Sequence, residues 1–246
     1  MAAALAAGVA ALAGGLWLAV LVRGLPPASA AVPPAVSAAA SATPPPAPTP
    51  SASAVPAPHI VPAFIPYGRV RRAQMAAYSR RHYGAARWRL RPRVIVLHFT
   101  GGPTYASARA VFVSNAPNMG ELPGVAAHYI VAKTGTVYQL LSTRVRCRHT
   151  IGLNYCAIGI ELVQQTGRGS HWADLQILHR RRQIGAALRL VRYLRAKYSI
   201  KLRNVIGHAT ANRSPFFRDL EGWRNDHTDW LARDVRTFRR RLALLH

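Results

Sequence analysis

Acidic residues are scarce: Asp and Glu number 8 against 33 Lys and Arg, a formal charge of +25 over 246 residues. Such a balance argues against an ordinary neutral cytosolic enzyme surface. Lysine is scarce as well, being confined to Lys133, Lys197 and Lys201, while alanine abounds. Part of the arginine excess is therefore consistent with codon bias, and charge alone assigns no partner. The 2 cysteines exclude a multi-disulfide miniprotein and a four-cysteine zinc module. A packed core must carry the fold. No internal repeat is visible.

Charge is absent from one end of the chain. Arg23 is the only charged side chain in the first 58 residues, and all 8 acids lie at or beyond Glu121. Residues 2–22 are Ala, Leu, Val and Gly with Trp17, long enough at about 1.5 Å per residue to cross roughly 30 Å of hydrocarbon. Ala28-Ser29-Ala30 resembles a signal-peptidase site, although the stretch before the apolar run lacks Lys and Arg. Residues 1–30 therefore read as a signal peptide or an N-terminal membrane anchor. Either reading puts the rest of the chain outside the cytoplasm, in the periplasm, at the cell wall or secreted. Residues 31–58, rich in Pro, Ala and Ser, have too little bulky apolar surface for a core and read as a disordered linker. Residues 59–92 form a basic lead-in, with a helix expected over 69–83, and residues 93–246 form the main domain.

Within that domain, residues 93–98 are a β-branched run stopped by Gly101-Gly102-Pro103, a buried strand that delivers His98 to a loop. Residues 128–141 hold two strand-like runs around Thr134-Gly135, a hairpin signal. Residues 157–163 read as a strand on which Glu161 is the anomaly, a carboxylate among apolar neighbours. Residues 174–198 have helical apolar spacing with an arginine-dense outer face. Residues 204–208 return to strand, and 230–245 suggest a terminal helix. This order predicts an α/β domain, a mixed central β-sheet flanked by helices.

His98 and His208 lie far apart in sequence and belong to no local metal motif, so each alone reads as a satisfied histidine at a strand end. Together with the acids Asp226 and Asp229, they supply the nitrogen and oxygen ligands of an open catalytic zinc site. Glu161, desolvated by its neighbours, would have a raised pKa suited to a general base, the alternative being a buried ion pair with an arginine.

The runs Val94-Ile95-Val96-Leu97-His98-Phe99-Thr100, Ala127-His128-Tyr129-Ile130-Val131, Ile158-Gly159-Ile160-Glu161-Leu162 and Ile206-Gly207-His208, followed by Asp226, carry a family resemblance. They resemble the zinc-dependent N-acetylmuramoyl-L-alanine amidases that share a fold with peptidoglycan recognition proteins. The resemblance spans roughly residues 93–230, and residues 75–83 are similar to the lead-in of secreted bacterial members. It implies that His98, His208 and Asp226 hold one Zn²⁺ and that Glu161 takes a proton from the attacking water. It further implies that Arg224, standing where the family commonly has lysine, assists the oxyanion. His149, Asn154 and His128 are similar to groove-lining residues and are expected to bind substrate. His227 replaces the family's usual proline, so residues 226–229 offer three candidate ligands. A disulfide between Cys147 and Cys156 would suit an oxidising compartment.

The expected partners are peptidoglycan, as muramyl peptides, and anionic cell-wall polymers. Membrane contact is expected only through the N-terminal segment, nucleic-acid recognition is not expected, and the protein is expected to be a monomer. The competing readings are a non-catalytic peptidoglycan-binding module of the same fold and a cationic nucleic-acid-binding protein.

Overall fold

The computed structural model describes residues 55–245; the expected signal or anchor and all but the last residues of the linker lie outside them. Among the described residues no helix is long and apolar enough to cross a membrane.

The β-branched run after Arg93 becomes strand β2, Val94–Gly101, whose first five residues are all buried. Such burial follows from its place inside the sheet: it lies between strands from residues 157–165 and 205–207 and runs parallel to both. Numbered in chain order, the strands are β1 (Val61–Pro62), β2, β3 (Tyr129–Val131), β4 (Val137–Gln139), β5 (Ala157–Gln165) and β6 (Val205–Gly207), arranged β1-β4-β3-β5-β2-β6. β3 and β4 form the expected hairpin, antiparallel with Val131 opposite Val137. Gly135 takes φ +91° in the turn, a backbone conformation open to glycine. The sheet is mixed, as expected.

Five helices flank it: α1 (Arg69–Tyr83), α2 (Tyr105–Ser114), α3 (Ser170–His179), α4 (Arg181–Tyr198) and α5 (Ala232–Ala243). Strand alternation divides the work between two faces. Ile95, Leu97, Ile158, Ile160 and Leu162 join buried residues of α3, α4 and α5 in the largest apolar cluster. The other face carries Val96 beside Gly159 and His98 beside Glu161 in the β2–β5 register. That second face, where His98 and Glu161 lie, is where the polar side chains of the site collect.

The helix expected over 69–83 has those bounds, and it buries Met75, Tyr78 and Tyr83. Its buried Arg71 donates to the Phe112 carbonyl at 2.8 Å, tying the lead-in to α2. The long helix expected over 174–198 is instead two helices broken at Arg180, which has φ −80° and ψ 89°. No Pro or Gly marks this break. The cause is tertiary: Gln183 donates through Nε2 to the carbonyls of Val131 and Val163 at 3.0 and 3.1 Å, so α4 starts where the sheet needs its strand ends satisfied. α2 was not anticipated, and the terminal helix is shorter than its apolar pattern. The disulfide is absent: both cysteines are free and buried. Cys147 packs among Ile65, Tyr67 and Val145, while Cys156 belongs to a separate cluster with Val94 and Ile206.

Candidate active site

Parallel strands that end side by side deliver their last residues to one rim of the sheet. His98 arrives on β2, and His208 follows directly on β6. Asp229 reaches them from the loop before α5. Nδ1 of His98 stands 3.0 Å from Nδ1 of His208, and the Asp229 carboxylate lies 3.0 Å from His208 Nδ1 and 3.4 Å from His98 Nδ1. All three residues are buried.

Asp226, the expected acidic ligand, is exposed and is not part of this group. The correction has a structural cause. Asn225 is held by reciprocal bonds with Asn212 at 2.7 and 3.0 Å, and its amide also donates to the His208 carbonyl. Five residues later, Trp230 donates through Nε1 to the His98 carbonyl at 3.1 Å. The Asp174 carboxylate of α3 accepts from the backbone N–H groups of Trp230 and Leu231 at 3.1 and 2.9 Å. Between these anchors Asp229 is turned inward while Asp226 stays in solvent. Gly207 permits the approach, since a Cβ there would lie 1.9 Å from the Trp230 carbonyl oxygen.

The ring tautomers follow from the hydrogen bonds. His149 Nε2 faces the Ala157 carbonyl at 3.2 Å, and a carbonyl only accepts, so Nε2 carries the proton. Its Nδ1 is left to accept from His98 Nε2–H at 3.1 Å, with Thr150 Oγ1 at 2.9 Å. His98 Nδ1 is thereby left as a lone pair aimed at His208 and Asp229. Burial, then His208, pulls the His98 pKa down to about 4, and burial with His98 and His128 holds His149 well below the ordinary range. Neutral imidazoles are the ligand form. Burial opposes the charge of Asp229, but the His208 and His98 rings against it outweigh burial and keep the carboxyl well below the usual range.

The donor set tests well against a metal. Two imidazole nitrogens and one carboxylate make a three-ligand set of the kind that leaves a fourth position open. Ligands about 2.0–2.1 Å from a tetrahedral Zn²⁺ lie roughly 3.3 Å from one another, and the separations are 3.0, 3.0 and 3.4 Å. The bare His98 Nδ1 and the Asp229 carboxylate face one another at 3.4 Å with no proton between them, so a cation there resolves the contact.

Glu161 is paired with His98 across the β2–β5 register. Its buried Oε2 has no hydrogen-bond partner, and no arginine pairs with it among the ion pairs of the described residues. Burial, then Asp229, pushes its pKa up to about 8.

The remaining expected site residues are placed differently. His128 is wholly buried, donating through Nε2 to the Val145 carbonyl at 2.9 Å and accepting at Nδ1 from Gly159 N–H at 3.0 Å. Both nitrogens are spent stapling the hairpin to β5, so His128 is not placed to touch a substrate. For the same reason its closeness to Cys147 and His149 does not make a second metal site. Asn154 is buried too; its Oδ1 accepts from the backbone N–H of His149 and Thr150 at 2.8 and 2.7 Å, shaping the loop from beneath. His149 lies behind His98 and fits only because residue 159 is glycine, where a Cβ would come within 2.7 Å of its ring. Arg224 is exposed, with its guanidinium 4.8 Å from the Phe217 ring. His227, exposed, stacks on His208 at 4.2 Å between ring centroids.

Asp174, Asn212, Asn225 and Trp230 act here and had no assigned role in the sequence reading. Asp174 could have been found, since it is an acid inside an apolar helical pattern; the asparagines carry no such signal.

Residues 88–229 match the sequence profile of the family described as N-acetylmuramoyl-L-alanine amidase. The chain belongs to that family. The amidase is similar to solved structures of related description. A mutant endolysin from Bacillus subtilis is 23% identical, covering 61% of this chain and 83% of its own, with TM-score 0.41. N-acetylmuramoyl-L-alanine amidase LysC from Clostridium intestinale is 16% identical, covering 73% of this chain and 96% of its own, with TM-score 0.44. The Escherichia coli amidase AmiD, in complex with anhydro-N-acetylmuramic acid-L-Ala-D-γ-Glu-L-Lys, is 25% identical, covering 48% and 49%, with TM-score 0.38. No curated protein matches the amidase.

Proposed function

We propose that this amidase is an exported zinc hydrolase that cleaves the amide between the lactyl group of N-acetylmuramic acid and L-alanine in peptidoglycan. His98, His208 and Asp229 hold the metal and Glu161 acts as the general base. The observation that carries the reading is the buried, convergent His98–His208–Asp229 group with an unpartnered Glu161 oxygen on the adjoining strand. Zn²⁺ bound there would supply Lewis acidity toward the amide carbonyl and acidify water.

The chain's own residues supply the rest. Glu161 sits one strand spacing, about 4.8 Å, from the His98 backbone, and its free Oε2 can take the proton of the attacking water. A cation on the three ligands offsets the Asp229 charge and favours the Glu161 carboxylate, the form a base needs. The same proton then passes from Glu161 to the departing L-alanine nitrogen, so the base is regenerated when the amide breaks. His149 holds the His98 tautomer, and Asp174 and Asn225 hold the Asp229 loop. His227, exposed and stacked on His208, offers a contact to the substrate. The apolar residues 2–22 and the scarcity of acids support export and attachment to anionic wall polymers.

The test is digestion of purified peptidoglycan with and without a zinc chelator, with products identified by mass. Release of stem peptides beginning in L-alanine, lost on chelation and restored by zinc, is the expected result. Glu161→Gln should keep zinc at one per chain while kcat falls by about 100- to 10,000-fold. Full activity in that variant would remove Glu161 from the mechanism.

A further inference from the structure

Seven residues before the first long strand alternate without interruption: Arg87-Trp88-Arg89-Leu90-Arg91-Pro92-Arg93. In an extended segment that alternation puts the arginines on one side and the apolar residues on the other. The structure keeps the segment extended. Leu90 is buried, Leu90 N–H donates to the Arg144 carbonyl at 2.8 Å, and Arg146 N–H donates to the Trp88 carbonyl at 2.7 Å. The buried Arg146 braces it from below, donating through Nε to the Arg89 carbonyl and through Nη1 to the Arg87 carbonyl at 3.1 and 3.3 Å.

Arg87, Arg89, Arg91 and Arg93, all exposed, line one open cavity of about 590 Å³ together with Arg146. Alternate residues along the strip are spaced by roughly 6.6–6.8 Å. None of the five arginines belongs to an ion pair among the described residues, where Arg81 and Arg233 are the paired ones. All 8 acidic side chains of the chain lie among the described residues, and none of them pairs with the strip. Arg93 precedes β2 while His98 lies toward its other end, so the strip sits roughly 16 Å of strand from the metal ligands.

We propose that this strip is a binding site for a linear phosphodiester polyanion of the polyol phosphate kind, separate from the hydrolytic centre. Guanidinium forks pair with phosphate oxygens two at a time, and a row of them fits a chain of repeated anions. The aromatic rings argue against nucleic acid. Trp88 has guanidiniums of Arg72 and Arg89 at 4.7 and 4.9 Å from its centroid, and Arg93 lies 4.2 Å from the centroid of Phe216. Rings already covered by cations offer no platform for bases, whereas single-stranded nucleic acid binders stack bases on open rings. Such a site would hold the enzyme on the wall while the opposite end of the sheet cleaves; this role rests on the wall-hydrolase reading, while the binding itself does not.

The experiment is fluorescence anisotropy of the full chain with labelled poly(glycerol phosphate) of about ten units, against poly-glutamate and a single-stranded oligonucleotide of equal charge. Exchanging Arg87, Arg89, Arg91 and Arg93 for Gln should weaken glycerol phosphate binding by at least about 10-fold. Exchanging Arg181, Arg182, Arg189 and Arg203, which are also exposed, should change it by less than about 3-fold. Equal losses in the two quadruple variants would mean diffuse charge and overturn the site. Equal binding of poly-glutamate, or tighter binding of the oligonucleotide, would overturn the ligand class. If the strip variant fails to fold, Arg87→Gln/Arg91→Gln carries the same comparison against Arg181→Gln/Arg189→Gln. Hydrolysis of a soluble muramyl peptide, measured alongside, should be unchanged in the strip variant. Its absence in the wild type would count against the proposed reaction and leave the binding result standing.

Discussion

The choice between Asp226 and Asp229 turns on a few ångströms of backbone. Both are acids in the same short stretch, yet one is exposed and the other lies 3.0 Å from His208. Asp229→Ala should lower zinc affinity by on the order of 100-fold or more and abolish turnover. Asp226→Ala should leave both within about 2-fold, as for exposed residues away from such features; zinc titration against a competing chelator measures each. His149 makes a finer case. Beside His98, it fixes which His98 nitrogen is bare. His149→Ala should weaken zinc binding by about 10- to 100-fold, the usual effect of losing a residue that orients a ligand. Were His149 a substrate contact, KM would rise with zinc affinity unchanged.

At the scale of elements, His128 joins the hairpin to β5 with one donor and one acceptor, an arrangement that needs a neutral ring. Burial pulls its pKa down to about 4 from the ordinary 6.5. The unfolded chain therefore binds the extra proton between these values, so this contribution to stability is present above about pH 6.5 and is lost as pH falls toward 4. The chelator-treated protein should lose a few kcal/mol between pH 7 and pH 4.5 in denaturant titrations. His128→Gln, which keeps a donor and an acceptor, should have a visibly shallower slope. Most of the elements could be read from the apolar pattern, because β2 and β5 are short, continuously buried runs and α4 buries residues at the helix period. The break at Arg180 could not, because its cause is a pair of strand carbonyls 20 to 52 residues away that Gln183 satisfies.

For the whole molecule, a charge of +25 meets only 8 acids, and several of those are already engaged with histidines. Three arginines are drawn inside, where Arg71, Arg146 and Arg148 donate to backbone carbonyls rather than to acids. The remainder repel one another across the surface. Added salt screens that repulsion over about 10 Å at 0.1 M, so Tm should rise between 20 and 500 mM NaCl, on the order of a few degrees. A fall in Tm over that range would mean that the surface ion pairs outweigh the repulsion.

The amino-acid order by itself determined the α/β class, the hairpin and the lead-in helix, because apolar patterning tells which residues are buried and where an element ends; the grouping of His98, His208 and Glu161 was implied by the family resemblance, and the parallel order β5-β2-β6 is what brings them side by side. The amino-acid order also carried the alternating arginine strip, since period-two patterning is a local property. Only the tertiary structure decided that Asp229 is the third partner, that His128 and Asn154 hold loops rather than substrate, and that Cys147 and Cys156 stay apart. Those outcomes depend on which carbonyls and N–H groups from distant segments must be satisfied in the interior, and local spacing does not encode that.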